Sequence, residues 1–438
     1  MGKGLGSPRD PEIKSGIPSR MAASRHVRPH AGTGRSPDAV SRPVSGTGRP
    51  AIITRLTLLA AGCVAPGRTL AAPDGVTGFG ERVAAVPDLD HDGTTDLAVS
   101  TRSGLPLARL FSGATGAPLG DLAGLELPTP WGSHPDAPRV CAVLGADAEC
   151  AGLVVGAPNR QRDGHFCGWV GMYAPATQRL VWESWGEDEM EVRGVALAPL
   201  PDVNGDGLQD VAVGTGECEA EPGQWLSGRV LVLSGGSGAV LGEFRAPAPD
   251  FNQDFGITLA SLGDVDRDGV PDLAVGATKH PLGRGAGDCV AAVFRLYIAS
   301  ADGLHVRLLF EGRREDGPYG VLAAVPDLDH DGAADIALRL SRRYDQDLAV
   351  IGRVLLISSA TGDVLVDRAG TLPSKQAGML MPAELSWEQL ESSAPEADFA
   401  ANVAFVLRGG RRVAFAIGDP DRAMGAGQSG AVLIRRLP

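Results

Sequence analysis

Four Asp-rich stretches with one common spacing are the part of this sequence best suited to chemistry. Each has the form D-x-[DN]-x-D-G-x-x-D, with oxygen-bearing side chains at positions one, three, five and nine. Alternate side chains of a curling loop converge on one centre, where a hard divalent cation takes six to eight oxygens at ~2.3–2.6 Å. The spacing therefore predicts about four calcium sites. The side-chain ligands, stretch by stretch, are Asp88, Asp90, Asp92 and Asp96; Asp202, Asn204, Asp206 and Asp210; Asp264, Asp266, Asp268 and Asp272; and Asp327, Asp329, Asp331 and Asp335.

The other loop positions suit the same cation. Glycine at position six permits the sharp turn or positive φ that curls the loop, and it stands at Gly93, Gly207, Gly269 and Gly332. Position seven is expected to offer a backbone carbonyl, so its side chain varies among Thr94, Leu208, Val270 and Ala333. Without a cation the carboxylates would repel one another, so the metal is expected to contribute to folding. The competing interpretation, an ordinary Asp-Gly turn with solvated charges, is disfavoured by four copies in register.

Each Asp-rich stretch lies between two apolar segments, which predicts a β-hairpin with a long connection. An EF-hand is excluded because its loop lies between helices and ends in Glu at position twelve. Two further copies keep both apolar segments but lack the Asp-rich loop. The six hairpins begin at Phe79, Arg193, Phe255 and Tyr319 for the complete copies, and span Val140–Asn159 and Asp398–Asp421 for the other two.

A second unit of strand, small-residue turn and strand follows each of the first five hairpins, so one repeat supplies four strands in about 60 residues. Equivalent residues Leu97, Leu153, Val211, Leu273, Ile336 and Phe415 are separated by 56, 58, 62, 63 and 79 positions. The last interval is long because it contains an insertion at residues 373–396. Such repeats predict an all-β fold, a β-propeller of four-stranded blades, over residues 76–438.

The repeats resemble FG-GAP repeats, the blade unit of integrin α-subunit propellers. Phe79-Gly80 and Phe255-Gly256 match the first half of that motif, and Gly156-Ala157-Pro158 matches the second half. The resemblance implies a propeller of about seven blades, with calcium in the hairpin loops of several. Because six repeats are recognisable in this chain, six and seven blades both remain open.

The last repeat ends at Pro438 after its third strand, so a closed ring needs a strand shared from the amino terminus, which also removes an unpaired edge. Residues Ser45–Leu59 resemble the turn and fourth strand of other repeats and are the candidate. Residues 1–50, rich in Arg, Pro, Gly and Ser, are expected to form a disordered leader.

Residues 51–75 also have a second interpretation, as an export segment. The apolar run Leu56–Pro66 is too short to span a bilayer but suits a signal-peptide core. Cleavage is then expected after Leu70-Ala71-Ala72. Alternatively, Leu59–Cys63 resembles a bacterial lipobox, which makes Cys63 the candidate for a lipid anchor. Either route predicts an extracellular or cell-envelope protein without a transmembrane span.

The charge of the chain and the absence of common catalytic motifs reduce the number of function classes to consider. The whole chain has a net charge of −13. Its first 72 residues sum to +8, so the remaining 366 residues sum to −21. Such an acidic body disfavours nucleic acid as a partner. No HExxH, GxSxG or P-loop motif occurs, and six cysteines form no CxxC pair.

These features indicate a calcium-binding extracellular scaffold that binds protein or glycan, and they favour binding over catalysis without excluding it. The alternative is a propeller enzyme acting on glycans, or a lectin-like protein. Its candidate loops, rich in Trp and acidic residues, are Leu127–Pro138, Trp182–Glu191, Cys218–Trp225 and the insertion with Trp387.

Overall fold

The computed structural model describes most of residues 68–436. The described ranges are 68–72, 77–103, 107–122, 138–187, 191–216, 218–221, 224–226, 228–247, 254–279, 293–316, 319–341, 350–372, 403–408, 411–425 and 428–436. All belong to the compact unit Cys63–Pro438. The expected leader at 1–50, the candidate strand Ser45–Leu59, Cys63 and the insertion at 373–396 lie outside them.

The described residues form 28 β-strands and one short 3-10 helix, Arg314–Asp316. The strands in the amino-terminal part are β1 (Arg68–Ala71), β2 (Thr77–Val86), β3 (Asp96–Ser103), β4 (Ala108–Phe111), β5 (Pro118–Leu122), β6 (Arg139–Leu144), β7 (Cys150–Ala157), β8 (Gln161–Arg162), β9 (His165–Phe166), β10 (Trp169–Tyr173) and β11 (Leu180–Trp185). The central strands are β12 (Ala196–Leu200), β13 (Asp210–Gly214), β14 (Cys218–Glu221), β15 (Gln224–Leu226), β16 (Val230–Leu233), β17 (Val240–Phe244), β18 (Thr258–Gly263), β19 (Asp272–Lys279), β20 (Val293–Ser300) and β21 (Val306–Glu311). The carboxy-terminal strands are β22 (Tyr319–Val325), β23 (Asp335–Ser341), β24 (Val350–Ile357), β25 (Val364–Leu372), β26 (Val403–Arg408), β27 (Arg411–Gly425) and β28 (Gln428–Arg436).

Each repeat folds into an antiparallel meander, as the sequence pattern predicts. Four sheets have four strands each, in the orders β6-β7-β10-β11, β12-β13-β16-β17, β18-β19-β20-β21 and β22-β23-β24-β25. The short ribbons β8-β9 and β14-β15 project from the connections between second and third strands. All six predicted hairpins are present, as β2-β3, β6-β7, β12-β13, β18-β19, β22-β23 and β26-β27.

Burial changes across each sheet in a way that explains the hydrophobic pattern. In the sheet β12-β13-β16-β17 the two middle strands are buried along their whole length. Side chains of the first strand alternate between buried and half-buried, and the fourth strand is exposed at its start. When successive sheets pack face to face, their middle strands are covered on both faces. The sequences of such strands are therefore continuous apolar runs.

Apolar clusters join each sheet to the next one along the chain. Phe255 is an example, because its ring lies 6.3 Å from that of Phe244 in the preceding sheet and 5.4 Å from that of Tyr297 in its own. The last strands return to the first sheet, where Phe79 pairs with Gly430 and Thr94 with Arg408. The sheets therefore succeed one another around an axis, and the fold is an all-β propeller.

Close backbone approach between neighbouring sheets explains one glycine of the FG motif. Gly256 has φ +95°, and a Cβ there would come within 2.9 Å of the Arg229 carbonyl oxygen. A Cβ on Gly214 in the preceding sheet would lie 1.9 Å from the Gly256 carbonyl oxygen. Gly256 therefore requires glycine for its positive φ and for lack of space, and Gly214 requires it for lack of space.

The number of large sheets differs from the expected six or seven blades. Within the described ranges there are five, because the strands of the first and last repeats form one eight-stranded sheet. Its path is β26-β27-β28-β2-β3-β4-β5, and β1 pairs with β28 beside that path. One parallel pair, Phe79 with Gly430, and the isolated bridge of Thr94 with Arg408 connect the two repeats.

The shared strand is present within the predicted segment 51–75, after the candidate residues Ser45–Leu59. Strand β1 (Arg68–Ala71) pairs antiparallel with β28, with Arg68 opposite Ile434 and Ala71 opposite Ala431. Five residues then lead to β2, similar to the seven that link β21 to β22. A strand ending at Leu59 would have left 17 residues before Thr77, which is longer than this connection needs.

Candidate metal centres

The four Asp-rich loops all connect the first strand of a repeat to its second strand. They follow β2, β12, β18 and β22, and their ninth residue is the first residue of β3, β13, β19 and β23. The equivalent connections of one propeller lie at the same end of its sheets. The structure thus brings every predicted loop to one end of the ring.

Within each loop, the carboxylate at position one organises the backbone. In the first loop Asp88 accepts hydrogen bonds from the N–H groups of Asp92 at 3.1 Å and Gly93 at 2.6 Å. The same two bonds recur in the other three loops, with the glycine bond at 2.8–3.0 Å. Glycine at position six has φ between +84° and +93° in all four, which confirms the predicted positive φ.

The carboxylate at position five forms hydrogen bonds within its own sheet. Its Oδ1 accepts the N–H of position seven at 2.8–3.0 Å in all four loops. In two repeats its Oδ2 also accepts a serine hydroxyl from the turn between third and fourth strands, at 3.0 Å from Ser234 to Asp206 and 3.3 Å from Ser358 to Asp331. The loop is therefore tied to a second turn of the same sheet.

Position nine is buried, which the spacing did not predict. Asp96, Asp210 and Asp335 are fully buried, and Asp272 is 3% exposed. One oxygen of each accepts the N–H of position two at 2.7–2.8 Å. The other oxygen of Asp96 and Asp210 accepts an N–H from the neighbouring turn, from Gly113 and Gly235, both at 3.0 Å. This residue anchors the loop as well as facing its centre.

Three carboxylates of each loop come together, with one oxygen of each within 4.8 Å of the others. Three loops contribute positions one, three and nine, and the second contributes positions one, five and nine because position three is Asn204. The groups are Asp88, Asp90 and Asp96; Asp202, Asp206 and Asp210; Asp264, Asp266 and Asp272; and Asp327, Asp329 and Asp335. Asp92, Asp268 and Asp331 at position five lie outside these groups.

The electrostatics of the clusters favour a bound cation. The pKa of Asp96 is raised to about 6, chiefly by burial and to a smaller extent by the charges of Asp90 and Asp88, against backbone hydrogen bonds that lower it. Burial also raises the pKa of Asp210, Asp272 and Asp335. In the fourth loop the Oδ1 of Asp335 is buried and accepts no hydrogen bond of good geometry. An all-oxygen donor set with a spare buried oxygen fits a hard divalent cation.

The second repeat has a short hairpin turn in place of an Asp-rich loop. Residues Gly145–Glu149 connect β6 to β7, and the turn packs against the loop of the third repeat. Gln209 donates its N–H to the Leu144 carbonyl at 2.9 Å and accepts the Leu144 N–H on its side chain at 3.1 Å. This hairpin thus supports a neighbouring loop without forming an acidic triad of its own.

The tryptophans with described side chains are not exposed as a glycan platform would require. Trp169 is 1% exposed and Trp182 is 9% exposed. Trp182 donates its indole N–H to the Gly235 carbonyl of the next sheet at 2.8 Å. Trp185 is half-buried, with the guanidinium of Arg160 5.4 Å from its ring centroid. Trp131, His134, Trp387 and the side chain of Trp225 lie outside the described residues.

Residues 202–275 match the model of the FG-GAP-like repeat family. This segment begins at the second Asp-rich loop and includes the third. This part of the chain is therefore similar to FG-GAP-like repeats. The match includes the buried ninth residues Asp210 and Asp272 and the closely approaching glycines Gly214 and Gly256.

Sequence relatives of this chain include integrin α chains. It is 29% identical to integrin alpha-4 of Xenopus laevis over 197 residues, 42% of this chain and 18% of that protein. It is 38% identical to integrin alpha-7 of Homo sapiens over 135 residues, 30% of this chain and 11% of that protein. The chain thus matches less than a fifth of the length of these relatives.

One solved structure with a similar course of the chain is the GH93 alpha-L-arabinofuranosidase of Fusarium graminearum. The TM-score is 0.44 and the identity 10%, over 84% of this chain and 96% of that one. A similarity at that level does not bear on activity. Among the described residues, no helix has the length and apolar character needed to cross a membrane.

Proposed function

We propose that this protein is a calcium-stabilised propeller of FG-GAP-like repeats that acts outside the cytoplasm as a binding scaffold for a protein or a glycan. The observation that carries the proposal is the recurrence of one acidic triad in four loops at one end of the ring. One such cluster is common on protein surfaces. Four clusters with the same hydrogen bonds and a buried ninth residue are better explained by a shared ligand.

The cation would be held by the side-chain oxygens of positions one, three, five and nine, which are carboxylates except at Asn204, and by the position-seven carbonyls of Thr94, Leu208, Val270 and Ala333. It would compensate the carboxylate of the ninth residue, whose pKa is raised chiefly by burial and also by neighbouring charges, and it would lock the loop to the neighbouring turn. Four calcium ions would reduce the charge of residues 73–438 from −21 to −13. A ligand that binds only the folded state stabilises it by ~2.7 kcal/mol per site at a hundredfold excess over Kd.

The proposed ring has six blades. The eight-stranded sheet divides into β2-β3-β4-β5 and β26-β27-β28-β1, each with the four-strand order of the other sheets. Among the described residues, these two halves are joined by one parallel pair, Phe79 with Gly430, and by the isolated bridge between Thr94 and Arg408. Counting the halves separately gives one blade for each recognised repeat.

A scaffold role is favoured over catalysis because the described carboxylate clusters are explained by metal binding and loop anchoring. An extracellular or cell-envelope location is supported by the export-type apolar run before β1. An immobilised glycan panel and a surface-exposed protein library, each tested with calcium and with chelator, would separate the two classes of partner.

Calcium titration tests the metal proposal. Isothermal titration of the chelated protein is expected to give about four sites, and calcium is expected to raise the melting temperature. Asp264→Asn removes the organising carboxylate of the third loop and is expected to lose one site. Asp147→Asn, in the short hairpin without a triad, is the matched control and is expected to keep all sites. Absence of a calcium-dependent melting shift would contradict the proposal.

A further inference from the structure

Strand β1 has the two-residue alternation of a strand with one buried face. Thr69 and Ala71 are exposed, whereas Leu70 is 8% exposed and Ala72, directly after the strand, is 7% exposed. The backbone of β1 pairs with β28 at four successive residues, from Arg68 opposite Ile434 to Ala71 opposite Ala431. A short segment therefore makes both hydrogen bonds and apolar contacts.

The side chains of Leu70 and Ala72 pack against the first repeat, whereas the backbone of β1 pairs with the last repeat. Leu70 and Ala72 belong to an apolar cluster with residues of the first repeat, which are Phe79, Val83, Leu97, Val99 and Phe111. The backbone of β1 pairs with the last strand of the chain. Residues 68–72 therefore connect the first repeat to the last by two independent kinds of contact.

This placement distinguishes the two processing routes that the sequence leaves open. Cleavage after Leu70-Ala71-Ala72 would remove β1, expose the edge of β28 and strip Leu70 and Ala72 from the first-repeat cluster. An unpaired strand edge next to uncovered apolar surface favours aggregation. Cleavage before Cys63 or elsewhere before Arg68 would leave all of these contacts in place.

We infer that Arg68–Ala72 is retained in the mature protein as the segment that closes the ring, and that any amino-terminal processing takes place before Arg68. The small side chain of Ala72 is explained by its packing in the first-repeat cluster and not by recognition by a signal peptidase. This inference concerns the closing strand alone and does not rest on calcium, so it stands or falls separately from the metal proposal.

The amino terminus of the exported protein gives a direct test. The complete chain is expressed in a bacterium that exports proteins, and the terminus of the recovered protein is read by mass spectrometry of its first peptide. A terminus at or before Arg68 is the expected result. A terminus at Pro73 or later would overturn the inference.

Substitutions in the full chain test the packing. Leu70→Asp places a charge in the first-repeat cluster and is expected to lower the melting temperature by about 5 °C or more. Thr69→Asp puts the same charge on the exposed face one residue earlier and is expected to change it by about 1 °C or less. Equal effects of the two variants would contradict a buried strand.

A cross-link tests the pairing even where Leu70→Asp fails to fold. The double variant Ala71→Cys and Ala431→Cys joins two residues that are opposite each other in the register. After mild oxidation, peptide mapping is expected to find a disulfide between these positions in the monomer. A dimer linked through them, or no link under conditions that oxidise exposed thiols, would overturn the inference.

Discussion

At the scale of single residues, the ninth aspartate of each loop has two roles that its spacing alone does not distinguish. It is a member of each carboxylate triad, and it also accepts the position-two N–H from inside the protein. Position three is exposed in the loop and has no comparable structural bond to a buried group. Substitutions at the two positions should therefore have different consequences.

Asp272→Ala is expected to lower the free energy of unfolding by about 1–3 kcal/mol even with chelator, because it leaves the buried N–H of Val265 without its acceptor. Asp266→Ala is the control in the same loop, since the side chain of Asp266 is exposed. It is expected to leave the chelated protein within about 0.5 kcal/mol of wild type and to weaken calcium binding only. Urea unfolding with and without calcium measures both effects. A purely metal-binding ninth residue would instead make the two variants alike in chelator.

The described cysteines allow a separate test of burial. Cys141, Cys150 and Cys167 are free thiols. The pKa of Cys150 is raised to about 11, chiefly by burial and also by the charge of Glu149, against a backbone hydrogen bond of Gly152 that lowers it. Because the folded pKa is raised, the thiolate is disfavoured until the pH approaches that value.

Alkylation of Cys150 in the folded protein is expected to be slow at pH 8, where about one thiol in 10³ is ionised, and to rise about tenfold per pH unit up to pH 10. The same residue in urea has an ordinary pKa near ~8.5 and is the reference. Iodoacetamide labelling followed by peptide mass spectrometry measures the rate. A folded rate that already levels off near pH 9 would contradict the raised pKa.

At the scale of elements, neighbouring sheets are held by close backbone approach as well as by apolar side chains. Gly256 begins the fourth repeat with φ +95° and faces the Arg229 carbonyl of the preceding sheet. Gly242, in the exposed fourth strand of that sheet, has open space around the position of a Cβ. A side chain should therefore destabilise the protein at position 256 and be tolerated at position 242.

Gly256→Ala is expected to destabilise the protein by about 1–3 kcal/mol, since it adds backbone strain and a steric clash between sheets. Gly242→Ala should stay within about 0.5 kcal/mol of wild type. Urea denaturation at saturating calcium compares them without interference from metal binding. Similar midpoints for both variants would show that the sheets do not approach as closely as described.

At the scale of the whole molecule, negative charge is concentrated after residue 72, where the balance is −21. Much of it lies in the four loops at one end of the ring. Self-repulsion of this kind destabilises a compact state and is screened by salt, with a Debye length of ~10 Å at 0.1 M. Calcium and salt should therefore relieve the same repulsion.

The melting temperature of the chelated protein is expected to rise as NaCl increases, because screening weakens repulsion among the loop carboxylates. The calcium-loaded protein should show a smaller rise, since its bound cations have already neutralised much of this charge. Melting curves at several NaCl concentrations, with calcium or chelator, measure the difference. An equal salt effect in both states would mean that calcium does not act by offsetting this repulsion.

Much of the fold and of the candidate sites followed from local spacing. Two-residue alternation and the Asp-Gly loops predicted all six hairpins, because both depend on neighbouring residues in the chain. The positive φ of position six and the convergence of positions one and three were predictable for the same reason. The burial of Asp96 was not, because it depends on the turn at Gly113, 17 residues away.

Features set by contacts between distant segments appeared only in the folded molecule. The closing strand lies at Arg68–Ala71 and not at Ser45–Leu59, since its place depends on pairing with Ile434 and on packing against Phe79. Trp182 fills an interface between sheets, which its own neighbours in the sequence do not reveal. Short-range periodicity specifies each hairpin and its loop, whereas ring closure and burial depend on which surfaces meet once those hairpins pack together.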